Sequence, residues 1–428
     1  MVTNGTKYLC CNNYLKTIMK ITLKLLCLFL FTSVYAQSII PISDINFKSS
    51  KFDNLGFFKR ELQNVSLIGL GESVHYMGGT YTAKIKMVKY LHEECGFDVL
   101  AFESPMYNLS KVNELLEKGM ITTKEMGWNI SGIWNTQEVK ELFEYIIETR
   151  KTKRPLIFAG FDESFFNSSC KGNLKEDYSV FIDSLEKISN VKIKLDSLFY
   201  NKIKLVAEKS YSFSKLRGED TLLLNNKFDE IRNVMKKVNY ERYIYLNFWK
   251  HMTDNLQSVY RKKYNTGNRD LQMAKNVIFL AENLYPDKKI ILWAATTHLL
   301  FNTLDIEEFK KNETYQKNKM GVYLRNRYKE KYYLLAFTAL QGKVGFKGYM
   351  GLGKHKISTT NGSIERYVDK LYQANYAYIP LRSNEVRVEL EKNKIIKSSL
   401  WGIKESKMII PNVADGIFYI KNEHLVNF

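Results

Sequence analysis

The sequence predicts an α/β fold with a mainly parallel β-sheet that is flanked by helices. Two observations predict it. Four short apolar runs have the length and composition of buried strands, and each stops at glycine or at a polar residue. Longer segments with helical patterns separate them, which is typical of parallel βαβ units. The four predicted strands cover residues 66–71, 98–102, 155–161 and 289–295.

The first half of the chain shows the clearest alternation. Residues 37–65 are interpreted as a lead-in with a short helix. Asn135 or Thr136, followed by Glu138, is typical of a helix start because these side chains cap free backbone N–H groups. Helices are predicted over about 79–95, 109–118 and 136–150.

The second half is less regular. Residues from about 165 to 265 are polar, rich in Lys, Tyr and Asn, and contain no strong strand pattern. We therefore expect a helical subdomain inserted into one α/β domain that spans residues 37–428. The remaining predicted elements are helices over 268–285 and 318–329 and strands over 331–339, about 376–381 and 415–420.

The first 36 residues predict a secretory signal peptide that follows an N-terminal extension. Basic residues from Met19 onward precede an apolar stretch, Leu25 to Phe31, and Val34-Tyr35-Ala36 fits the small-residue rule for cleavage. This stretch is too short to span a membrane. We expect cleavage after Ala36 and a periplasmic or secreted product without stable membrane insertion. Translation could begin at Met1 or at Met19.

The composition argues against a nucleic-acid partner, although the formal net charge is +19. The lysines are scattered, with no basic block and no nucleic-acid-binding motif, so we interpret them as a solvated surface. Five cysteines occur, and two of them, Cys95 and Cys170, follow the predicted leader. Their spacing matches no zinc motif. We expect two unpaired thiols, although an oxidising compartment would permit a disulfide.

Acids and histidines follow the predicted strands. The carboxyl ends of the strands in an α/β sheet share one edge, where ligands bind. The sequence therefore predicts a functional site at this edge. Its candidate residues are Glu72, His75, Glu103, Asp162 and His298.

His75 is the candidate general base, because an imidazole with a near-neutral pKa can take a proton from water. If the chain turns into a helix after the strand, Glu72 lies on the same face and can orient the imidazole. Ser73 superficially matches the nucleophile elbow Gly-x-Ser-x-Gly. The second glycine of that motif is His75 here, so we favour direct attack by water.

Several motifs occur in a recognisable order. Gly71-Glu72-x-x-His75 follows the first strand, Glu103 the second, Gly160-Phe161-Asp162 the third, and Trp293-Ala294-x-x-x-His298 the fourth. Further segments are Arg269-Asp270-x-x-Met273-Ala274-x-Asn276, Gly321-Val322-Tyr323-Leu324 and Ala414–Ile420. Together they resemble the erythromycin esterase family over roughly residues 45–425.

The resemblance implies a hydrolase that cleaves a small-molecule ester or lactone, a macrolide included, with a role in antibiotic resistance and no cofactor. The histidine of Gly-Glu-x-x-His looks like the family's base, which assigns that role to His75. Arg269 and His298 would stabilise the oxyanion. The implied catalytic residues are His75, Glu72, Glu103, His298 and Arg269, and the implied substrate-binding residues are Asp162 and Trp293.

The chain departs from the family at one motif. The family usually shows Trp-Ala-His-Asn-x-His, and here Ala295 and Thr296 replace the inner histidine and the asparagine. This departure bears on which substrate the protein uses, and on the opening of a macrolide ring more than on hydrolysis in general.

Two alternatives to this hypothesis stay open. One is a hydrolase that holds a divalent metal through His75 and His298. The other is a non-catalytic periplasmic module that binds a hydrophobic ligand or haem.

Overall fold

The computed structural model describes residues 39–49, 52, 55–165, 173–208, 218–263, 268–311, 318–345 and 355–428. The predicted leader and Cys170 lie outside the described residues. Cys95 is described and is a free thiol. In the part of the chain that the structure describes, no helix has the length and apolar character needed to cross a membrane.

The structure confirms the predicted α/β class, with a large and mostly parallel sheet flanked by helices. The strands are β1 (Ile40–Ile42), β2 (Leu67–Glu72), β3 (Phe97–Pro105), β4 (Ile157–Asp162), β5 (Lys289–Ala295), β6 (Tyr332–Val344), β7 (His355–Ser358), β8 (Tyr376–Pro380), β9 (Lys397–Ser398), β10 (Ser406–Lys407) and β11 (Gly416–Glu423).

The helices alternate with the strands except in the middle of the chain. They are α1 (Gly56–Glu61), α2 (Gly78–Cys95), α3 (Met106–Glu117), α4 (Thr123–Asn129), α5 (Gln137–Thr149), α6 (Leu174–Ser189), α7 (Ser197–Glu208), α8 (Gly218–Lys237), α9 (Ile244–Lys263), α10 (Arg269–Phe279), α11 (Thr296–Leu299), α12 (Glu307–Lys311), α13 (Met320–Tyr328), α14 (Ile364–Tyr372), α15 (Asn384–Lys392) and α16 (Ile410–Val413).

The main sheet has the order β1-β8-β11-β6-β2-β5-β3-β4 among the described strands, and β7 pairs with the far end of β6. Strands β4, β3, β5, β2, β6 and β11 run parallel to one another, whereas β8, β1 and β7 pair antiparallel with their neighbours. Strand β5 lies between β2 and β3, so the fourth predicted strand end is placed between the first and the second.

The sheet separates two apolar cores. Successive residues of β5 point to opposite faces, as the two-residue period of a strand requires. Ile290 and Leu292 join one core, whereas Ile291 and Trp293 join the other. Residues of α6 to α10 belong to the first core, and residues of α1, α2, α4 and α5 belong to the second. The result is a layer of helices on each face of the sheet.

The predicted helical segment contains α6, α7, α8 and α9. Buried amides join it to the sheet: Asn255 donates to the carbonyl oxygen of Glu163 at 3.0 Å, and Asn276 in α10 donates to the Asn255 side chain at 3.0 Å. Trp249 stacks on Phe181 with ring centroids 5.6 Å apart. These contacts hold the segment beside the carboxyl end of β4.

Several elements were not predicted from the sequence. Strand β1 is a three-residue edge strand paired to β8, and β7 pairs only with the last residues of β6, so neither carries a long apolar pattern. Helices α4, α14 and α15 are short and begin at polar caps, Thr122, Ser363 and Ser383. Strand β6 also continues five residues beyond its predicted end, to Val344.

Candidate active site

The strand order brings the predicted residues to one edge of the sheet. Glu72 is the last residue of β2, Glu103 lies near the end of β3, and Asp162 is the last residue of β4. His298 lies in α11, which directly follows β5. Close packing at this edge requires Gly71, because a Cβ atom there would lie 2.6 Å from the Thr296 hydroxyl oxygen.

Glu72 and His75 form a histidine–carboxylate pair. Their side chains meet although no helix follows β2 directly: α2 begins at Gly78, and His75 lies in the intervening loop. Glu72 Oε1 is 3.0 Å from His75 Nδ1. Because a carboxylate only accepts, Nδ1 is the protonated nitrogen of the neutral ring and Nε2 carries the lone pair. The His75 side chain is 33% exposed.

Two further side chains hold Glu72 in its buried position. Trp134 Nε1 donates to Glu72 Oε1 at 2.7 Å, and its ring meets the His75 ring edge-on with centroids 5.6 Å apart. The buried ammonium of Lys84 forms an ion pair with Glu72 Oε2. Lys84 Nζ also lies 4.1 Å from the centroid of the Trp293 ring, a cation–π contact.

These contacts set the charges of the pair. Burial disfavours the imidazolium of His75, but the hydrogen bond and charge of Glu72, together with the charge of Glu103, raise the pKa of His75 above 6.5. Burial lowers the pKa of Lys84 to about 8 against the opposing effect of Glu72. His75 is therefore a stronger base than a free imidazole.

Arg269 links the ends of β3 and β4. Its Nε and Nη2 atoms donate to the two oxygens of Asp162, each at 2.9 Å, and Nη2 also donates to Glu103 at 2.9 Å. Such a planar fork is specific to arginine. Nη1 is the nitrogen that neither carboxylate occupies.

His298 forms a second histidine–carboxylate pair, with Asp270. His298 Nδ1 lies 2.8 Å from Asp270 Oδ1, which also accepts from the backbone N–H of Met320 at 3.0 Å. The other ring nitrogen, Nε2, faces Arg269 Nη1 at 3.2 Å and Glu103 at 3.3 Å. In a neutral ring Nε2 accepts from Arg269, so donation to an oxyanion from Nε2 requires the protonated ring.

Glu103 is held as an anion. Burial opposes its ionisation, but the charge that His298 carries when its ring is protonated and the charge of Arg269 lower the pKa of Glu103 to about 2. The backbone N–H of Ala295 adds a hydrogen bond of 3.1 Å. Ala295 thus contributes its backbone to the site at the point where the sequence departs from the family motif.

The structure gives other predicted residues different surroundings. The Ser73 hydroxyl lies 3.2 Å from the sulfur of Met77, and its hydrogen bond is to that sulfur. Trp293 is fully buried beneath Lys84 and stacked on Phe102, so it has no exposed surface for the predicted substrate contact.

Among the described residues, no group of three or more His, Cys, Asp or Glu side chains is arranged to hold a metal ion.

The sequence reasoning missed three residues of the site: Lys84, Trp134 and Asp270. Lys84 lies among other lysines of a helix, and Trp134 ends a short 3-10 helix 62 residues from Glu72, so neither has a local signal. Asp270 follows Arg269 directly and belongs to the same sequence motif, residues 269–276. Its position next to Arg269 is the one signal in the sequence that could identify Asp270 as a residue of the site.

The fold and the site together define a class. A parallel sheet carries two histidine–carboxylate pairs and an arginine bound to two carboxylates at its carboxyl edge, an arrangement suited to hydrolysis. The chain belongs to the erythromycin esterase family, whose model matches residues 92–422. Family membership indicates a hydrolase. The matched residues begin after the Glu72–His75 pair and include the Arg269 and His298 motifs.

The chain is similar in sequence or in fold to several known proteins. YbfO, a putative hydrolase of Bacillus subtilis strain 168, is 27% identical over 398 residues, which cover 86% of each chain. A Bacillus cereus protein of known structure matches with a TM-score of 0.74 at 18% identity, covering 91% of this chain and 96% of that one. A mutant of the erythromycin esterase EreC in its open conformation matches with a TM-score of 0.61 at 15% identity, covering 90% and 97%. The two structural matches show the fold.

Proposed function

We propose that the protein hydrolyses an ester or a lactone with water activated by His75. The observation that carries the proposal is the Glu72–His75 pair, in which Nδ1 is held at 3.0 Å and Nε2 makes no hydrogen bond within the described part of the chain. A histidine oriented in this way by a buried carboxylate is poised to accept a proton at Nε2.

The proposed reaction needs only groups of this site. His75 Nε2 takes a proton from water while the water oxygen attacks the carbonyl carbon. The resulting oxyanion receives a hydrogen bond from Arg269 Nη1, which binds neither carboxylate. Nη1 carries two N–H groups, so one remains for the oxyanion while the other faces His298 Nε2. The bond to the leaving oxygen then breaks, and His75 returns the proton to it. The products are a carboxylic acid and an alcohol, joined in one molecule if the substrate is a lactone.

The family suggests the range of substrates, and a macrolide is the first to test. A role in macrolide resistance and export through the predicted leader belong to the same proposal.

Sequencing the N-terminus of the mature protein from the producing cell tests the export. A mature chain that begins after Ala36 supports it, and an intact leader contradicts it.

Mass spectrometry tests the reaction. The protein is incubated with a 14- or 15-membered macrolide and with a panel of simple esters, beside His75→Gln. We expect a product heavier by one water from a lactone, or acid and alcohol from an ester, and none above background in His75→Gln. The matched control is His92→Gln, since His92 is buried near the other end of α2 against Tyr145. Equal turnover by wild type and His75→Gln would contradict the proposal.

The same assay addresses the metal alternative. His298 Nε2 already faces the guanidinium of Arg269 at 3.2 Å, so a metal bound through His75 and His298 would require Arg269 to move. We expect EDTA to leave turnover unchanged. Loss of turnover in EDTA and its return with Zn²⁺ or Mn²⁺ would favour the metal-dependent hydrolase.

A further inference from the structure

The first turn of α2 is capped from the opposite end of the chain. Met77, the residue at the N-cap position, supplies no side-chain cap. The buried carboxylate of Glu423, at the end of β11, accepts instead from the backbone N–H groups of Gly79 at 2.6 Å and Thr80 at 3.0 Å. It also accepts from the Thr80 hydroxyl at 2.7 Å. An anion at this position also suits the positive end of the helix dipole.

The residues after Glu423 extend this contact. The backbone N–H of Gly78 donates to the carbonyl oxygen of His424 at 2.8 Å, and Met77 pairs with Leu425 in an antiparallel bridge. The two backbones approach so closely that a Cβ atom on Gly78 would lie 2.7 Å from the carbonyl oxygen of Leu425. Residues 423–425 are called here the C-terminal clamp.

The clamp holds one end of the loop that carries His75. The other end of this loop is Glu72, fixed in β2. Between them Tyr76 has a φ of 68°, a left-handed conformation that is unfavourable for a bulky side chain. Its backbone N–H donates to the Tyr81 hydroxyl at 3.0 Å. A backbone of this kind persists where the surrounding structure holds it, and the clamp and Glu72 hold the two ends of this loop.

We propose that Glu423 is a positioning residue for His75: by capping α2 it fixes the far end of the loop and so maintains the contact between His75 and Glu72. Glu423 acts through the backbone of residues 77–80 and does not touch the reacting atoms. This inference rests on the proposed function of His75 as the base.

The test compares wild type with Glu423→Gln, whose amide group cannot accept hydrogen bonds at both ends. The matched control is Glu365→Gln. Glu365 is equally buried and accepts hydrogen bonds from Thr338, Ser398 and Ser399, in a different part of the fold. Thr80→Val is a milder variant that removes one hydrogen bond to Glu423, for use if Glu423→Gln does not fold.

Two readouts are needed. The first is kcat and KM on the best ester substrate, and the second is the pKa of His75 from NMR of isotope-labelled histidine, with the resonance assigned by its absence in His75→Gln. We expect Glu423→Gln to lower kcat on the order of 10- to 100-fold with KM within about twofold, as misplacement of a catalytic group does. The pKa of His75 falls toward 6.5, because its contact with Glu72 is weakened. Thr80→Val gives smaller changes in the same direction.

An unchanged kcat and an unchanged His75 pKa, with a loss of thermal stability similar to that of Glu365→Gln, would overturn the inference and leave Glu423 a structural cap. If wild type itself shows no turnover that depends on His75, the proposed function fails. The NMR titration still decides whether the clamp positions His75.

Discussion

Glu72 Oε1 lies 3.0 Å from His75 Nδ1, and this contact determines which nitrogen of His75 is available for chemistry. The carboxylate does not bind His75 alone: it also receives the indole N–H of Trp134 at 2.7 Å and the ammonium of Lys84. The base is thus oriented by a carboxylate that is itself held on both oxygens. This arrangement leads to the following predictions.

Glu72→Gln should lower the pKa of His75, because it removes the charge and the hydrogen bond that raise this pKa while burial, which lowers it, remains. It should also reduce kcat/KM by about 10²-fold or more, since the imidazole loses its fixed tautomer. NMR titration of His75 and steady-state kinetics measure the two effects. An unchanged His75 pKa in this variant would show that Glu72 does not tune the base.

Lys84→Arg should change the alkaline side of the pH–activity profile. The pKa of Lys84 is about 8, so the wild type loses the cation beside Glu72 above that pH, and we expect kcat/KM to decline there. A guanidinium stays protonated, so the decline should disappear or move to higher pH in Lys84→Arg. An identical alkaline limb in both proteins would exclude Lys84 as its cause.

The same lysine should affect stability. Because the pKa of Lys84 is about 8 in the folded protein and 10.5 is its ordinary value, the unfolded chain binds more protons between these pH values. The free energy of unfolding contributed by Lys84 therefore rises with pH from about 8 to about 10.5 and is lost as pH falls through 8. Urea titrations at a series of pH values give the free energy of unfolding at each pH. Between pH 8 and 10.5 this free energy should rise more steeply with pH in wild type than in Lys84→Arg, by up to roughly 1.4 kcal/mol per pH unit for one proton. Equal slopes would contradict this assignment.

Arg269→Lys should reduce kcat by about 10²- to 10³-fold, the cost of losing one oxyanion donor. A lysine has one nitrogen, so it cannot bind both oxygens of Asp162 as Nε and Nη2 of Arg269 do and also donate to the oxyanion as Nη1 does. Arg327→Lys is the control, because Arg327 also binds one carboxylate through two nitrogens, on Glu282, but is 58% exposed. Arg327→Lys should retain both stability and activity, because solvent screens an exposed ion pair. Full activity in Arg269→Lys would remove Arg269 from the mechanism.

Asp270→Asn should lower kcat roughly 10-fold or more with little change in KM. Asp270 holds Nδ1–H of His298 at 2.8 Å, so that Nε2 accepts from Arg269 Nη1, the proposed oxyanion donor. An amide presents a donor as well as an acceptor, so the ring can adopt the other tautomer and Arg269 Nη1 loses this contact. Kinetics of Asp270→Asn beside His298→Asn measure this. If the double mutant is as slow as either single mutant, the two residues act as one unit. Additive losses would mean that they act independently.

Much of the fold was predictable because its signal is local. Each of β2, β3, β4 and β5 is a short apolar run with polar residues at or just after its carboxyl end, and parallel packing then brings those ends to one edge. The sequence placed Glu103 and His298 at that edge, but it could not order the strands. The position of β5 between β2 and β3 is a tertiary property.

The contacts between side chains could not be predicted in the same way. Lys84 is buried because Glu72 lies beneath α2, and nothing in the pattern of α2 distinguishes it from neighbouring lysines. Trp134 reaches Glu72 because the segment between α4 and α5 folds over the end of β2. The cap that Glu423 provides joins positions 344 residues apart, beyond any motif. Such contacts depend on the assembled sheet.

The central claim is that His75 is the base, and one paired measurement tests it most directly. The pH dependence of kcat/KM and the NMR titration of His75 are recorded on the same protein, in wild type and in Glu72→Gln. We predict that the acidic limb of wild-type activity has the pKa of His75, above 6.5, and that both values fall together in Glu72→Gln. An acidic limb that stays in place while the His75 pKa moves would contradict the account.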